Sequence, residues 1–350
     1  MIACALLFAF VAEIPNPTKP GARQPQLSVG ADGHIALAWA DKDVIRCTYG
    51  DPDDGKSLWS VHGMAEKQRY SVGMRRGPRV AILDGDHVVL TAIGGEKGGG
   101  KDGDVWAWRN EPEIRSWPEP VRVNSVAGSA REGLHALARS GKGEVYCAWT
   151  DLRSGKPRIF GALSKDAGKT WENECAVSGE AQICPCCAPS VAYDADGKVY
   201  VMWRGEREGA RDMQLALPSG EVTKLGSGTW KLDACPMDGG ALAPGANGAL
   251  LAVFRRETRV YSATDGKSET LIDDGEQPWT AGGTTVWLEK RGGPLFALAP
   301  GAKERQQLAA SANDPVIACR PDGKGPLYVA WETGAKDTTE IRLARLRAER

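Results

Sequence analysis

The chain has 350 residues, 42% of them hydrophobic and 25% charged, which describes a folded polypeptide of one large domain or two ordinary ones and excludes disorder, a collagen-like fibre and a polytopic membrane protein. Forty-four Lys and Arg against 45 Asp and Glu leave a net charge of −1, so no global field draws nucleic acid or an anionic membrane surface. Any ionic ligand must be read by a local cluster.

In chain order, the first element is Ile2 to Ala12, an uncharged run closed by Glu13-Ile14-Pro15. It is far shorter than the ~20 residues that span a bilayer, so no membrane span is expected. It reads as the core of a signal peptide over residues 1–12, which places the mature chain in the periplasm or outside the cell, or else as a buried first strand. Met1-Ile2-Ala3-Cys4 has too little apolar sequence before the cysteine for a lipoprotein signal.

After it, one pattern recurs. An entry residue, Pro or Gly, is followed by a short strand, a turn of the Asp-Gly type and a second β-rich segment that closes on Trp or a substitute. The entries are Pro25, Pro78, Gly133, Pro189, Gly239, Pro278 and Pro315. The second segments close on Trp39, Ala92, Trp149, Trp203, Phe254, Trp287 and Trp331. The turns between them, such as Asp32-Gly33, Asp84-Gly85, Asp196-Gly197, Asn247-Gly248 and Asp322-Gly323, suit the positive φ of a tight hairpin. Forty-three glycines and 12 tryptophans beside 5 phenylalanines fit the same picture of short strands and tight turns. Successive entries lie 53, 55, 56, 50, 39 and 37 residues apart. That spacing predicts an all-β chain folded as a β-propeller of four-stranded blades, seven on the direct count, with six open because the Pro278 copy is compressed and Pro315 can open a blade completed by the N-terminal strand. No linker interrupts the copies, so residues 13–350 form one domain, expected to be monomeric.

Ser164-Lys165-Asp166-Ala167-Gly168-Lys169-Thr170-Trp171, led by Ala148 to Gly155, resembles the Asp-box of the sialidase-like, BNR-repeat propeller superfamily. One intact copy is present. In that family the box is a structural turn, so the resemblance implies the fold first. For activity it implies exo-sialidase-like glycoside hydrolysis, with three arginines on a substrate carboxylate, a Tyr nucleophile and an Asp acid/base.

Meandering blades place the entry segments and the ends of the second strands at one mouth of the axis, where a ligand is expected. Two positions before the entries stand Arg23, Arg76, Arg131, Cys187, Met237, Glu276 and Asn313. Convergent arginines suit a carboxylate, so Arg23, Arg76 and Arg131, with Arg204, Arg255 and Glu276 on the same face, are the ligand-binding candidates. Single charges after strands are more often merely solvated. Asp151 and Asp238 are the acid/base candidates, and Tyr70 is the tyrosine nearest the mouth. No Ser-His-Asp set, phosphate loop or Rossmann glycine pattern exists, and His135 reads as a core histidine.

Of the nine cysteines, Cys47, Cys147 and Cys319 sit in strand patterns and read as core. Cys184-Pro185-Cys186-Cys187 and Cys235-Pro236-Met237-Asp238 precede the entries of consecutive blades and are expected side by side. Cys184, Cys186, Cys187 and Cys235 can hold a soft ion, Cu or Zn, or can pair as disulfides, for example Cys184 or Cys186 with Cys235. Three functions stand at this point: a propeller that binds or cleaves an acidic saccharide, a thiolate metal-binding propeller, and a non-catalytic scaffold for a protein partner.

Overall fold

The computed structural model describes residues 8–348 apart from 43, 55–61, 64–67, 84–86, 99, 112–116, 246–248, 265–266 and 336–337. Every entry opens an antiparallel hairpin that continues into a four-stranded sheet. Blade 1 is Ala22–Val29, Ile35–Asp41, Val44–Gly50 and His62–Gly63; blade 2 is Arg79–Ile82, Val88–Gly95, Asp104–Arg109 and Val121–Arg122, extended by Arg69–Tyr70. Blade 3 is His135–Arg139, Val145–Asp151, Arg158–Ser164 and Glu172–Ala176, and blade 4 is Ser190–Tyr193, Val199–Arg204, Met213–Ala216 and Val222–Lys224. Blade 5 is Gly240–Pro244, Leu250–Arg256, Arg259–Ala263 and Thr270–Asp274, and blade 6 is Glu276–Ala281, Thr284–Leu288, Leu295–Leu298 and Gln306–Ala309.

Blade 7 takes Asn313–Ala318, Leu327–Thr333 and Glu340–Ala348, and its outer strand is Phe8–Glu13 from the other end of the chain, with Phe8 opposite Ala348 and Glu13 opposite Ala344. Residues 1–7, with Cys4, lie outside the described residues. The innermost strands touch in the order 1 to 7 and back to 1, which closes the ring. The chain is a seven-bladed β-propeller, and no helix occurs among the described residues. The compressed sixth copy keeps four strands by joining its first two through Gly282-Gly283 alone, at φ 56° and 80°, a region that glycine enters without steric cost. The Asp84-Gly85 and Asn247-Gly248 turns lie outside the described residues.

The core is divided among the seven interfaces between blades. Each second strand faces a neighbouring blade, so Trp39, Trp149, Trp203, Trp287 and Trp331 are all at most 3% exposed. Trp39 packs between blades 7 and 1, Trp149 between 2 and 3, and Trp203 between 3 and 4. Losing one such side chain would cost about 3–5 kcal/mol. The Ser164–Trp171 turn joins the outer strands of blade 3. Ser164 Oγ accepts the Gly168 amide at 2.7 Å, Asp166 accepts the Thr170 amide at 2.9 Å, and Trp171 packs against Val89 and Val145 across blades 2 and 3.

Three entries share a local distortion that matters for the axis. Gln24, Gln277 and Asp314, each immediately before a proline, hold φ of 56°, 53° and 45°. The strand pairing slips there, between Arg23 and Gln26, Glu276 and Trp279, and Asn313 and Val316. Such bulges re-aim a side chain out of the sheet, and here they turn all three toward the axis.

Candidate functional site

The re-aimed side chains close the axis at the entry face. The Gln24 and Gln277 side chains both donate to the Asp314 carboxylate, at 2.9 and 3.0 Å, and Gln277 Oε1 accepts the Asp314 backbone amide. Glu332 accepts the Gln24 amide at 2.6 Å, and Asp238 accepts the Gln277 amide at 2.7 Å. Arg75 reaches across from the loop before blade 2, pairs with Asp238 at 3.6 Å, donates to the Pro278 carbonyl and lies over the Trp279 ring at 5.1 Å. Blades 1, 2, 5, 6 and 7 are thereby tied through one buried polar plug. Burial and the Asp314 charge push the Glu332 carboxyl up to about 7, and burial pushes Asp238 up against the pull of Arg75.

Below the plug lies an axial cavity of about 530 Å³. Arg79 and Trp279 form its floor, alanines and valines of the inner strands its walls, and Arg139, Asp194, Arg320 and Asp322, with the first turns of blades 3, 4, 5, 6 and 7, its rim. The cavity therefore opens on the face opposite the entries. Asp194 accepts the Asp196 and Lys198 amides and Asp322 is paired with Arg320, so both carboxylates are turn formers. Arg79 is buried, and its hydrogen bonds go to the carbonyls of Arg75, Gly77 and Pro78. Among the described residues no carboxylate is paired with it, and burial together with Arg75 pushes its pKa down to about 10.

At the entry of blade 4 the segment 184–187 turns back on itself and brings three sulfurs together. Cys184 Sγ lies 3.2 Å from Cys186 Sγ and 3.7 Å from Cys187 Sγ, and all three are within 4.8 Å of one another. The segment is fixed by the Cys184 amide, which donates to the Arg204 carbonyl at 2.8 Å. Met237 of the next blade packs on the cluster, whereas Cys235 is exposed and outside it. Hydrogen bonding with its two neighbours pushes the Cys184 thiol down and the Cys186 thiol up.

No family model and no curated protein matches the chain. Solved structures do. The α-L-arabinanase of Penicillium chrysogenum, solved with arabinobiose, is 10% identical over 98% of each chain with a TM-score of 0.55. The GH93 α-L-arabinofuranosidase of Fusarium graminearum, also with arabinobiose, is 10% identical over 98% of each chain with a TM-score of 0.56. Virginiamycin B lyase of Staphylococcus aureus is 12% identical over 96% of this chain and 98% of that one, with a TM-score of 0.55. The likeness is one of fold.

Within this propeller the expected site residues are dispersed. Asp238, Arg255 and Glu276 meet: Arg255 pairs with Glu276 at 2.9 Å and approaches Asp238 at 4.0 Å. Arg204 is buried beside them, spending its donors on the carbonyls of Arg211, Asp238 and Arg255 over the Trp230 ring. Arg23 is half-buried near Glu332, Arg76 donates to the Glu132 carbonyl at 2.7 Å and Arg131 is exposed. No shared partner joins these three among the described residues. Asp151 is buried and held as a carboxylate below its ordinary range, since Ser129, the Trp149 ring and Arg153 all donate to it against the cost of its burial. Tyr70 is buried between blades 1 and 2 in edge contact with Trp108, and burial pushes it up to about 12. His135 is fully buried, bonded to Thr91, with its pKa pushed well down by burial.

The residues that sequence reasoning passed over are Arg75, Arg79, Gln24, Gln277 and Asp314. A signal was present. The column one position before the entries reads Gln24, Gly77, Glu132, Ala188, Asp238, Gln277 and Asp314, and four of its members build the plug.

Proposed function

We propose that the protein binds an acidic saccharide in the axial cavity, with the ligand's carboxylate directed to Arg79. The observation that carries this reading is a buried guanidinium on the floor of an open cavity that, among the described residues, forms no ion pair, the Asp314 charge of the plug acting on it without a salt bridge. A cation desolvated in this way gains from an anion brought to it, and the bidentate fork suits a carboxylate. A cavity of about 530 Å³ falls within the range that holds a small organic ligand. Two of the structures that share the fold carry arabinobiose, which supports a sugar as the ligand class. The reading is binding without hydrolysis. Tyr70, Asp151 and Asp238 make no contact with one another and none lines the cavity, while the two carboxylates at its rim are committed to turns.

Calorimetric titration with N-acetylneuraminic acid, galacturonic acid and their uncharged methyl esters tests this. An acid should bind, its ester should bind at least tenfold more weakly, and Ala243→Trp, which fills the cavity, should abolish binding while the fold is retained. Equal affinity for acid and ester, or undiminished affinity in Ala243→Trp, overturns the reading.

A further inference from the structure

The cluster at the entry of blade 4 has a composition the saccharide reading does not use. It consists of three thiols and a thioether, with no histidine and no carboxylate in the group. Cys184, Cys186 and Cys187 are 1%, 9% and 2% exposed, which leaves no room for a layer of water ligands. Cys187 and Met237 occupy the same column of the repeat, two positions before their entries, so neighbouring blades present them to one another by register. A metal held ~2.3 Å from each of three sulfurs spaces them ~3.8–4.0 Å apart. The observed separations of 3.2 and 3.7 Å need to open by about 0.6–0.8 and 0.1–0.3 Å to reach that spacing.

We propose that Cys184, Cys186 and Cys187 bind one Cu(I) ion as a trigonal thiolate site, with the Met237 thioether as its cap. Ligand softness selects Cu(I), and three-coordination suits its filled d shell. Structural Zn(II) wants four strong donors and an iron–sulfur cluster four thiolates, and among the described residues the cluster has no fourth thiolate, Cys235 being exposed and outside it. The site lies on the entry face and the saccharide cavity opens on the other, so the two ligands do not compete and the two readings fail independently.

The test uses the full chain, reduced and handled without oxygen, with Cu(I) supplied as its complex with a competing chelator. After desalting, elemental analysis should show about one copper per chain, and the copper X-ray absorption edge should report three sulfur neighbours. Zn(II) presented in the same way should not be retained. Cys186→Ser and Cys187→Ser should each lower retention at least tenfold, Met237→Leu less than that, and Cys235→Ser should retain a full equivalent. Should a serine variant fail to fold, the wild type alone decides: Cu(I) should protect Cys184, Cys186 and Cys187 from iodoacetamide while Cys235 stays reactive. Unchanged alkylation of the three thiols in the presence of Cu(I), equal retention by the serine variants, or loss of copper in Cys235→Ser overturns the proposal.

Discussion

Glu332→Gln is expected to stabilise the propeller at neutral and alkaline pH and to leave its stability unchanged at pH 4. Glu332 is 4% exposed, accepts the Gln24 amide in the plug and faces Asp314, and these surroundings raise its carboxyl from 4.5 to about 7. A carboxyl raised in the folded state binds a proton there between those two values while the unfolded chain has released it. Its contribution is therefore complete below pH 4.5 and is lost as the pH climbs through 7. At ~1.4 kcal/mol per pH unit, the loss amounts to about 3 kcal/mol. Glutamine keeps the acceptor for Gln24 and carries no charge, so it resembles the protonated acid at every pH. Urea unfolding followed by tryptophan fluorescence at pH 4, 6 and 8 reads the difference directly. The wild type and the variant should coincide at pH 4 and separate by about 3 kcal/mol at pH 8. Parallel stabilities across that range would refute the argument that burial and Asp314 set this carboxyl.

Asp151→Ala strands the Trp149 ring N–H and the Ser129 hydroxyl in a buried site and leaves Arg153 with Glu174 as its remaining carboxylate, and should lower the urea-derived stability by about 2–4 kcal/mol. Asp238→Asn keeps an acceptor for the Gln277 amide, and because burial outweighs the pull of Arg75 on this carboxyl, the variant should be more stable than the wild type at pH 8 and equal to it at low pH. Combining it with Arg75→Met should show coupling in a double-mutant cycle, and strict additivity would show that the two groups do not interact. Gly161→Ala drives a methyl carbon into the Tyr146 phenol, so the thermal midpoint should fall, by the equivalent of about 1–3 kcal/mol. An unchanged midpoint would mean that Tyr146 moves freely aside.

What was legible in the sequence and what was not divides along one physical line. Turn chemistry and strand-closing tryptophans are local and repeat, so the seven entries, from Pro25 to Pro315, could be read in order, and the sharing of blade 7 between chain ends was already one of the readings of its short last copy. The mouth is another matter: the cavity opens on the face opposite the entries, and at the entries the axis-facing column lies one residue later than regular alternation predicts. In a regular strand, side chains alternate, and the column two before each entry should share a face. The bulges at Gln24, Gln277 and Asp314 break that alternation and send the neighbouring column to the axis instead. Arg23 and Glu276 are displaced outward for the same reason. The sulfur cluster was legible in part: Cys184, Cys186 and Cys187 converge, but the Cys-Pro-Met-Asp loop offers Met237 rather than Cys235.

The pairing of Phe8–Glu13 with Glu340–Ala348 also has a temporal side. A ribosome releases the chain from its N-terminus, so the outer strand of blade 7 is made first and its partner last, with the six intervening blades between them. Those six can fold as they emerge, since every strand of each lies within one continuous stretch of chain. The first strand has nothing to pair with until residues 340–348 arrive, and its unpaired edge stays available to other chains for nearly the whole of synthesis. Ring closure is thus a contact across more than three hundred residues, the kind of pairing whose loop-closure cost comes before any reward and whose edge is open to another molecule until the partner is made.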